Sequence, residues 1–404
     1  MNIFDDYNFN PTERFLDSFL SKNIYGKLIV TFPSGRKKTY YPSSSKLDDF
    51  NSGMQADIKL NNFKLIYKLL RKGSVGFAES YIDSDFETNN LSNLLLFAHK
   101  NESSYIKKRE GNFLNDIIVK FKHFLNENTR YKSKKNISYH YDLGNNFYKH
   151  WLDESMTYSS AVFEQNNENL FIAQQNKYRQ IAEPLQLNEN SNLLEIGCGW
   201  GGFSTYAAKK FGAKIRAITL SKEQFDFTSK KIAKEGLGEK IIVEIRDYRD
   251  VKEKYSSIAS IEMFEAVGKK YWRNFFEKIR NSLTSKGVAS MQIITIDDNK
   301  ADRYQNNPDF IQQYIFPGGV LPSKKQLQEV TNSLGIKISE CKSFNSSYAK
   351  TLNLWNQKFQ NSWNLISKEG FNLRFKRMWE YYLSYCEVGF ISGATDVSQF
   401  LIKK

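Results

Sequence analysis

Short apolar runs separated by longer amphipathic stretches mark the second half of the chain. The runs are SNLLEIG (191–197), KIRAITL (214–220), KIIVEIR (240–246), SSIASIEM (256–263) and GVASMQIITI (287–296). Each run has the length of one buried strand, and the intervals between the runs leave room for helices. Strands that alternate with helices predict an α/β fold with a parallel, doubly wound sheet. No internal repeat is found.

The first part of the chain has a different pattern. Apolar positions in ERFLDSFLSK (13–22) recur at helical spacing, and GKLIVTFPSGRKKTYY (26–41) contains two short runs around a Pro-Ser-Gly turn. FKLIYKLLRKG (63–73) and NLSNLLLFAHK (90–100) predict two further helices. Helices combined with a hairpin predict a small mixed α+β accessory domain over residues 1–100, without a catalytic constellation.

Residues 101–138 are rich in Lys and Arg, with aromatic residues between them. A segment of this kind can lie against anionic lipid headgroups, and it can equally be a solvated linker helix. The α/β pattern begins near residue 139. The sequence therefore predicts a basic linker over residues 101–138, followed by a catalytic domain over residues 139–404.

Charge narrows the choice of partner. The chain has 58 Lys and Arg against 44 Asp and Glu, which gives a formal net charge of +14. Such a balance favours a polyanionic partner, which can be nucleic acid, an anionic membrane surface or an acidic substrate. A basic proteome would produce the same charge without any such partner.

Cysteine usage and the apolar profile indicate the compartment. Cys198, Cys341 and Cys386 are widely spaced and belong to no Cys/His cluster, so neither a metal site nor a disulfide framework is expected. The amino terminus carries no secretory signal, and no apolar run is long enough to span a bilayer. We expect a cytoplasmic protein that reaches a membrane only from its inner face.

The strongest motif is LLEIGCGWGG, residues 193–202, where a strand runs into a glycine-rich turn and then a helix. Glu195 lies before the turn, and Gly197 and Gly199 allow the chain to turn without a Cβ in the way of a ligand. Dinucleotide folds use G-x-G-x-x-G, with an acid about 20 residues later. The present pattern, with the acid first, is suited to S-adenosylmethionine.

Polar residues at the next strand ends support this interpretation. The second strand ends in Thr219, Leu220 and Ser221, with Gln224 at the start of a helix, and the third ends before Asp247 and Tyr248. Asp247 could bond an adenine amine, and Tyr248 could cover the adenine face. A methyltransferase is the favoured class, and another nucleotide-binding fold or an inactive relative is the alternative.

Nucleic-acid methyltransferases do not fit. Those that act on amines usually carry Asn or Asp, two prolines and an aromatic residue after the fourth strand, where this chain has SIEMFEAVG (260–268). Those that form a covalent adduct need a cysteine nucleophile in a loop, and neither Cys341 nor Cys386 has such surroundings. No nucleic-acid partner is expected.

Several segments resemble the cyclopropane-fatty-acyl-phospholipid synthases. They are SYHYDLGNNFYKHWLDESMTYSSAVFE, LLEIGCGWGG, TLSKEQ, RDYRD, MFEAVG, YIFPGGVLPS and RFKRMWEYYLSYCEVGF. These motifs follow in order, and the match covers residues 139 to 395. The resemblance implies a seven-stranded, Rossmann-like methyltransferase fold and a homodimer. It also implies an enzyme that works at an anionic membrane surface on the double bond of an unsaturated phospholipid acyl chain. Tyr158, Ser159 and Ile261 join the expected cofactor contacts.

The resemblance also implies a catalytic set. In the family, a bound bicarbonate is the base, held by a cysteine, a glutamate, a histidine, a tyrosine and backbone amides. The glutamate corresponds to Glu265 and the tyrosine to Tyr348. The cysteine position is Ser160 and the histidine position is Gln292, so binding of bicarbonate is left open.

The product is left open for the same reason. Ring closure to a cyclopropane is the first hypothesis, and C-methylation without ring closure is the alternative, because Ser160 and Gln292 replace the cysteine and the histidine. Glu265 or Glu164 could supply a carboxylate base, although Glu164 is as readily an exposed helix cap. The aromatic segment from Phe371 to Phe390 either packs in the core or lines an acyl tunnel with Phe375, Met378, Trp379 and Tyr382. A lipid-binding relative without turnover is the alternative of another class.

Overall fold

A computed structural model describes residues 11–21, 24–42, 53–106 and 143–404. The chain divides into two compact units, Met1–Ile118 with Asn372–Val388 and Val119–Phe371 with Gly389–Lys404. Most of the basic segment lies outside the described residues. The domain boundaries taken from the sequence stay a prediction, and internal packing assigns Asn372–Val388 to the first unit.

The first unit is a small mixed α/β structure. Its elements are α1 (Pro11–Leu20), β1 (Lys27–Thr31), β2 (Lys37–Tyr40), β3 (Gln55–Leu60), α2 (Lys64–Lys72), α3 (Ser74–Ile82), β4 (Phe86–Glu87) and α4 (Leu91–Ile106). The sheet order is β2-β1-β3-β4. The predicted hairpin is confirmed as the antiparallel pair β1–β2. Its turn is closed by the Gly35 N–H, which donates to Phe32 O at 2.9 Å.

The second unit contains the predicted α/β sheet. Its strands are β5 (Asn192–Ile196), β6 (Lys214–Thr219), β7 (Ile241–Ile245), β8 (Tyr255–Ile261), β9 (Leu283–Ile296), β10 (Lys337–Ser343) and β11 (Thr395–Lys403). The order is β10-β11-β9-β8-β5-β6-β7. Neighbouring strands from β9 to β7 are parallel, whereas β11 runs antiparallel to both β9 and β10.

Helices of the second unit cover both faces of this sheet. They are α5 (Asn145–Lys149), α6 (Leu170–Ala182), α7 (Gly202–Phe211), α8 (Lys222–Lys234), α9 (Trp272–Ser282), α10 (Asp298–Asn306), α11 (Lys324–Asn332), α12 (Asn345–Asn361) and α13 (Trp363–Ile366). One apolar core joins α6, α7 and α8 to the sheet, and the other joins α9 and α11 to it. The doubly wound fold is therefore confirmed.

The last helix, α14 (Leu373–Ile391), carries the aromatic residues considered for an acyl tunnel. Phe375 stacks on Trp379, with ring centroids 5.5 Å apart, and Trp379 meets the edge of Tyr382 at 5.2 Å. These contacts lie within the first unit, and the tunnel stays a prediction. In the described parts of the chain, no helix is both long and apolar enough to cross a bilayer.

Candidate active site

The turn after β5 is built from glycines where side chains would not fit. Gly197, Gly199 and Gly201 have positive φ angles of 82°, 53° and 75°. A Cβ on Gly197 would lie 2.8 Å from Cγ of Met263, which is too close for ordinary van der Waals contact. Helix α7 begins at Gly202 directly after this turn. A strand end and a helix start thus meet around backbone atoms that a ligand can approach closely.

A cavity at the carboxyl end of the sheet surrounds this turn. The predicted cofactor residues that line it are Tyr158, Ser159, Glu195, Gly197, Gly199, Thr219, Leu220, Gln224, Tyr248 and Ile261. Ser221 and Asp247 are not in the lining. Ser221 caps α8, where its Oγ accepts the Gln224 N–H at 3.3 Å. The Asp247 carboxylate accepts hydrogen bonds from the Arg249 guanidinium at 2.6 and 2.9 Å.

Glu195 places a buried carboxyl group beside the glycine turn. It is the second-last residue of β5 and is 3% exposed. Its Oε2 accepts a hydrogen bond from the Ser204 hydroxyl on α7. Burial raises the pKa of Glu195 to about 7, although the Ser204 hydrogen bond and the charge of Lys177 act in the opposite direction. A carboxyl group of this kind accepts hydrogen bonds strongly once it is ionised.

Hydrogen bonds to Asp153 fix the conformation of the loop before α6. This buried carboxylate accepts the backbone N–H groups of Ser155 at 3.0 Å and Thr157 at 3.2 Å, and the Ser155 hydroxyl at 2.5 Å. The Thr157 hydroxyl in turn lies in hydrogen-bond contact with Tyr178 on α6. Met156, in the middle of the loop, has a φ of 57°. These bonds fix the backbone that leads into Tyr158, Ser159 and Ser160.

Lys177 on α6 is a buried cation that the sequence analysis missed. Its side chain is fully buried, and its Nζ donates to the Ser159 hydroxyl at 2.7 Å. Burial lowers the pKa of Lys177 to about 7, while the negative charges of Glu262, Asp153 and Glu195 oppose this shift. Only the packing reveals this residue, because a charged side chain is normally exposed.

Glu262, directly after β8, lies at the centre of the predicted catalytic set. Its carboxylate accepts hydrogen bonds from the Ser160 backbone N–H at 2.8 Å, Gln292 Nε2 at 2.7 Å and the Tyr348 hydroxyl at 2.6 Å. Gln292 is oriented by Gln399 on β11, whose Nε2 donates to Gln292 Oε1 at 3.1 Å. The structure therefore brings Ser160, Gln292 and Tyr348 together around a carboxylate that the sequence analysis did not include.

Glu265, the predicted catalytic glutamate, lies on a short 3-10 turn, Phe264–Ala266. Its Oε1 accepts the Ile294 N–H at 2.5 Å, and its buried Oε2 has no hydrogen-bond partner among the described residues. Burial, followed by the nearby charge of Glu262, raises the pKa of Glu265 to about 8. Its carboxyl group is thus largely protonated near neutral pH. Glu265 is absent from the cavity lining, which includes Glu262.

Two other candidate groups are engaged elsewhere. The Ser160 hydroxyl donates to the Ala161 carbonyl at 2.9 Å, so only the backbone N–H of Ser160 points to Glu262. Glu164 lies at the surface, where it pairs with Arg179 at 2.5 Å. The sequence does contain a signal for Glu262, because this acid directly follows a buried strand and lies at the same sheet edge as Glu195. The segment EMFE contains two acids, Glu262 and Glu265, which the sequence does not distinguish. Only Glu262 accepts the hydrogen bonds of Ser160, Gln292 and Tyr348.

A doubly wound sheet with an acidic strand end, a glycine turn and polar groups at the following strand ends defines a methyltransferase that uses S-adenosylmethionine. The particular family follows from comparison with known proteins. Residues 128–400 match the family described as mycolic acid cyclopropane synthetase, so the chain belongs to this family. The resemblance seen in the sequence is thereby confirmed. The enzyme is an S-adenosylmethionine-dependent lipid methyltransferase of the cyclopropane synthase type.

Relatives with different named activities have similar sequence identity to this chain. The chain is 34% identical over 346 residues to the tuberculostearic acid methyltransferase UfaA1 of Mycobacterium tuberculosis, covering 84% of this chain and 81% of the relative. It is 32% identical over 340 residues to the cyclopropane-fatty-acyl-phospholipid synthase of Escherichia coli K12, covering 84% and 86%. The structure of the cyclopropane synthase MmaA2 from Mycobacterium tuberculosis matches with a TM-score of 0.63 and 28% identity, over 67% of this chain and 98% of that one.

Proposed function

We propose that this enzyme methylates the double bond of an unsaturated phospholipid acyl chain and closes the product to a cyclopropane. One observation carries the proposal: a carboxylate and an aromatic ring line the cofactor cavity, and further aromatic rings pack behind them. Glu262 and Tyr158 line the cavity. Tyr348, whose hydroxyl donates to Glu262, stacks on Phe390 at 4.3 Å, and Tyr158 lies 5.3 Å from Trp355. Such an environment stabilises positive charge.

Positive charge is what methylation of an alkene creates. When bound, S-adenosylmethionine supplies a methyl group that is electrophilic because it is attached to a positively charged sulfur. The π electrons of the alkene form the new C–C bond, and the neighbouring carbon of the lipid becomes a carbocation. The buried position of Ser160 and Gln292, both 0% exposed, keeps water away from this cation.

The fate of the cation decides the product. Loss of a proton from the added methyl group closes the ring, whereas a prior hydride shift followed by proton loss gives a methylene group or a methyl-branched alkene. A base fixed inside the site favours rapid proton removal and therefore the ring. C-methylation without ring closure is the second candidate, because Ser160 and Gln292 differ from the family pattern and UfaA1 is a methyltransferase by name.

Liposomes of cis-monounsaturated phospholipid containing anionic lipid test the product. We expect enzyme and methyl-labelled S-adenosylmethionine to give labelled fatty acids with high-field cyclopropane protons in the NMR spectrum. Mass spectrometry counts the added carbon, and liposomes of saturated phospholipid are the matched control. An olefinic methylene or a branched methyl signal would overturn ring closure. Absence of label, with cofactor binding demonstrated, would overturn the whole proposal.

Glu195 is proposed to accept hydrogen bonds from the cofactor ribose. Because the pKa of Glu195 is about 7, its ionised fraction rises about tenfold between about pH 6 and pH 8. The Kd for S-adenosylmethionine should therefore fall by about tenfold over this range, as measured by isothermal titration calorimetry. Lys177 and Glu265 also titrate here, with pKa values of about 7 and about 8.

The Glu195→Gln variant separates the contribution of Glu195 from those two groups. Glutamine keeps the shape and can still accept a hydrogen bond, but it does not titrate. Its affinity should be weaker and nearly constant across the same pH range. A variant whose Kd still falls about tenfold would assign the pH dependence to another residue.

The proposed site of action is the inner, cytoplasmic surface of a membrane. The net charge of +14 supports an anionic lipid surface as the partner. The homodimer implied by the family resemblance stays a prediction.

A further inference from the structure

Glu262 has an unusual backbone conformation for an acidic residue. Its φ is 50°, in the left-handed region, which is unfavourable for a residue with a Cβ. Its side chain is half-buried in the wall of the cavity, and partial removal from water is unfavourable for a charge. Strain of this kind is retained where the surrounding structure enforces it, often at functional sites.

The surrounding structure forms a site for an anion. The Ser160 N–H, Gln292 Nε2 and the Tyr348 hydroxyl converge from three separate parts of the chain on the two oxygens of Glu262. Since Gln399 fixes the amide of Gln292, its NH₂ group is directed at the carboxylate. Each of these donors would otherwise be available to a small oxyanion bound between them.

Bicarbonate does not fit a site in which these donors already bind a carboxylate of the protein itself. On the proposed function given above, we infer that the carboxylate of Glu262 occupies the place of a bound oxyanion and is the base that removes the proton. The enzyme then needs no bicarbonate. Gln292 and Ser160 hold this carboxylate in position, and neither has to titrate.

The surroundings also make Glu262 a suitable base. Burial raises the pKa of Glu262, which increases its affinity for a proton, while the Tyr348, Ser160 and Gln292 hydrogen bonds and the charge of Lys177 favour the ionised form. Glu265 is less suitable because it is largely protonated near neutral pH and does not line the cavity.

The alkene forms a C–C bond with the transferred methyl group while the S–CH₃ bond breaks, which leaves S-adenosylhomocysteine and a carbocation on the acyl chain. An oxygen of Glu262 takes a proton from the added methyl group. The electron pair of that C–H bond forms the third bond of the ring, and the neutral product leaves with the proton on Glu262. Release of this proton to solvent restores the carboxylate.

Two variants of Glu262 test this inference. Glu262→Gln keeps size and can accept the same N–H donors, but it cannot take the proton, so kcat should fall by about 100-fold or more. Glu262→Gly removes the carboxylate and suits the positive φ, leaving the donors around an open space. Added formate or bicarbonate should then restore activity by about tenfold or more in the glycine variant, and not in the glutamine variant.

Binding provides a readout independent of turnover. ¹³C-bicarbonate should show NMR line broadening with Glu262→Gly and none with the wild-type protein. Wild-type activity should be unchanged when bicarbonate is removed from the buffer. Glu164→Gln is the matched control, because this exposed acid pairs only with surface residues of α6, and it should behave as wild type.

Distinct outcomes separate this inference from the proposed function. Wild-type activity that requires bicarbonate, ¹³C-bicarbonate bound to the wild-type protein, or full activity of Glu262→Gln would each overturn the role of Glu262 alone. A wild-type enzyme that labels no unsaturated lipid would instead contradict the proposed function. In that case, the bicarbonate measurement still decides whether the anion site is filled by Glu262.

Discussion

Replacement of Gly202 by alanine is expected to destabilise the protein by about 3 kcal/mol and to abolish measurable binding of S-adenosylmethionine. A Cβ at this position would overlap the Tyr178 hydroxyl and lie 3.0 Å from Tyr178 Cζ and 3.2 Å from Thr157 Oγ1. Tyr178 is 3% exposed and is hydrogen-bonded to Thr157, so it has little room to move away. The substitution would push the start of α7, together with the glycine turn, away from the loop before α6.

Denaturant unfolding and calorimetric titration of the cofactor measure the two effects. The Tyr178→Phe variant removes the hydroxyl that causes the closest overlap, so the double variant should recover part of the stability lost by Gly202→Ala. Gly238→Ala is the matched control, since no atom lies within 4 Å of a Cβ there. Equal effects of Gly202→Ala and Gly238→Ala would show that the overlap with Tyr178 is not the cause.

The sequence predicts the strands well where the buried side chains are apolar. Strands β5 to β9 contain apolar runs, and the helices that cover the sheet bury most of them, so the hydrophobic pattern identifies these strands directly. Strand β11 was not identified. Its buried positions include Ser398 and Gln399, which are 0% and 2% exposed, and buried polar residues give no apolar signal. Strand β10 is an edge strand of mixed polarity that pairs with β11 alone in the sheet order.

The residues of the candidate site also fall into two groups, those that local sequence predicts and those that depend on packing. The glycine turn and the polar strand ends follow from local sequence, because the backbone itself dictates them. Lys177 and Asp153 could not be found locally, since a charged residue is normally exposed and their burial depends on packing between distant segments. Glu262 has a local signal in its place directly after β8, but the choice between Glu262 and Glu265 depends on packing. Glu262 shows this most clearly. Its donors lie 102, 30 and 86 residues away along the chain.

Replacement of Asp153 by alanine is expected to cost about 3 kcal/mol of stability, because it leaves several buried donors without an acceptor. The N–H groups of Ser155 and Thr157 and the Ser155 hydroxyl all donate to this carboxylate. Without it, the strained conformation of Met156, at a φ of 57°, loses its support. The free energy of unfolding from urea titration measures the loss.

The Asp153→Ala substitution should reduce catalysis as well as stability. Because the same loop continues into Ser159 and Ser160, its release would loosen the Ser160 N–H from Glu262 and the Ser159 hydroxyl from Lys177. We therefore expect kcat to fall by about tenfold in molecules that remain folded, with a smaller change in cofactor affinity. Glu154→Ala, at the exposed neighbouring position, is the control and should change neither quantity. Loss of stability with unchanged kcat would limit Asp153 to a structural role, since the catalytic carboxylate would then be positioned without this loop.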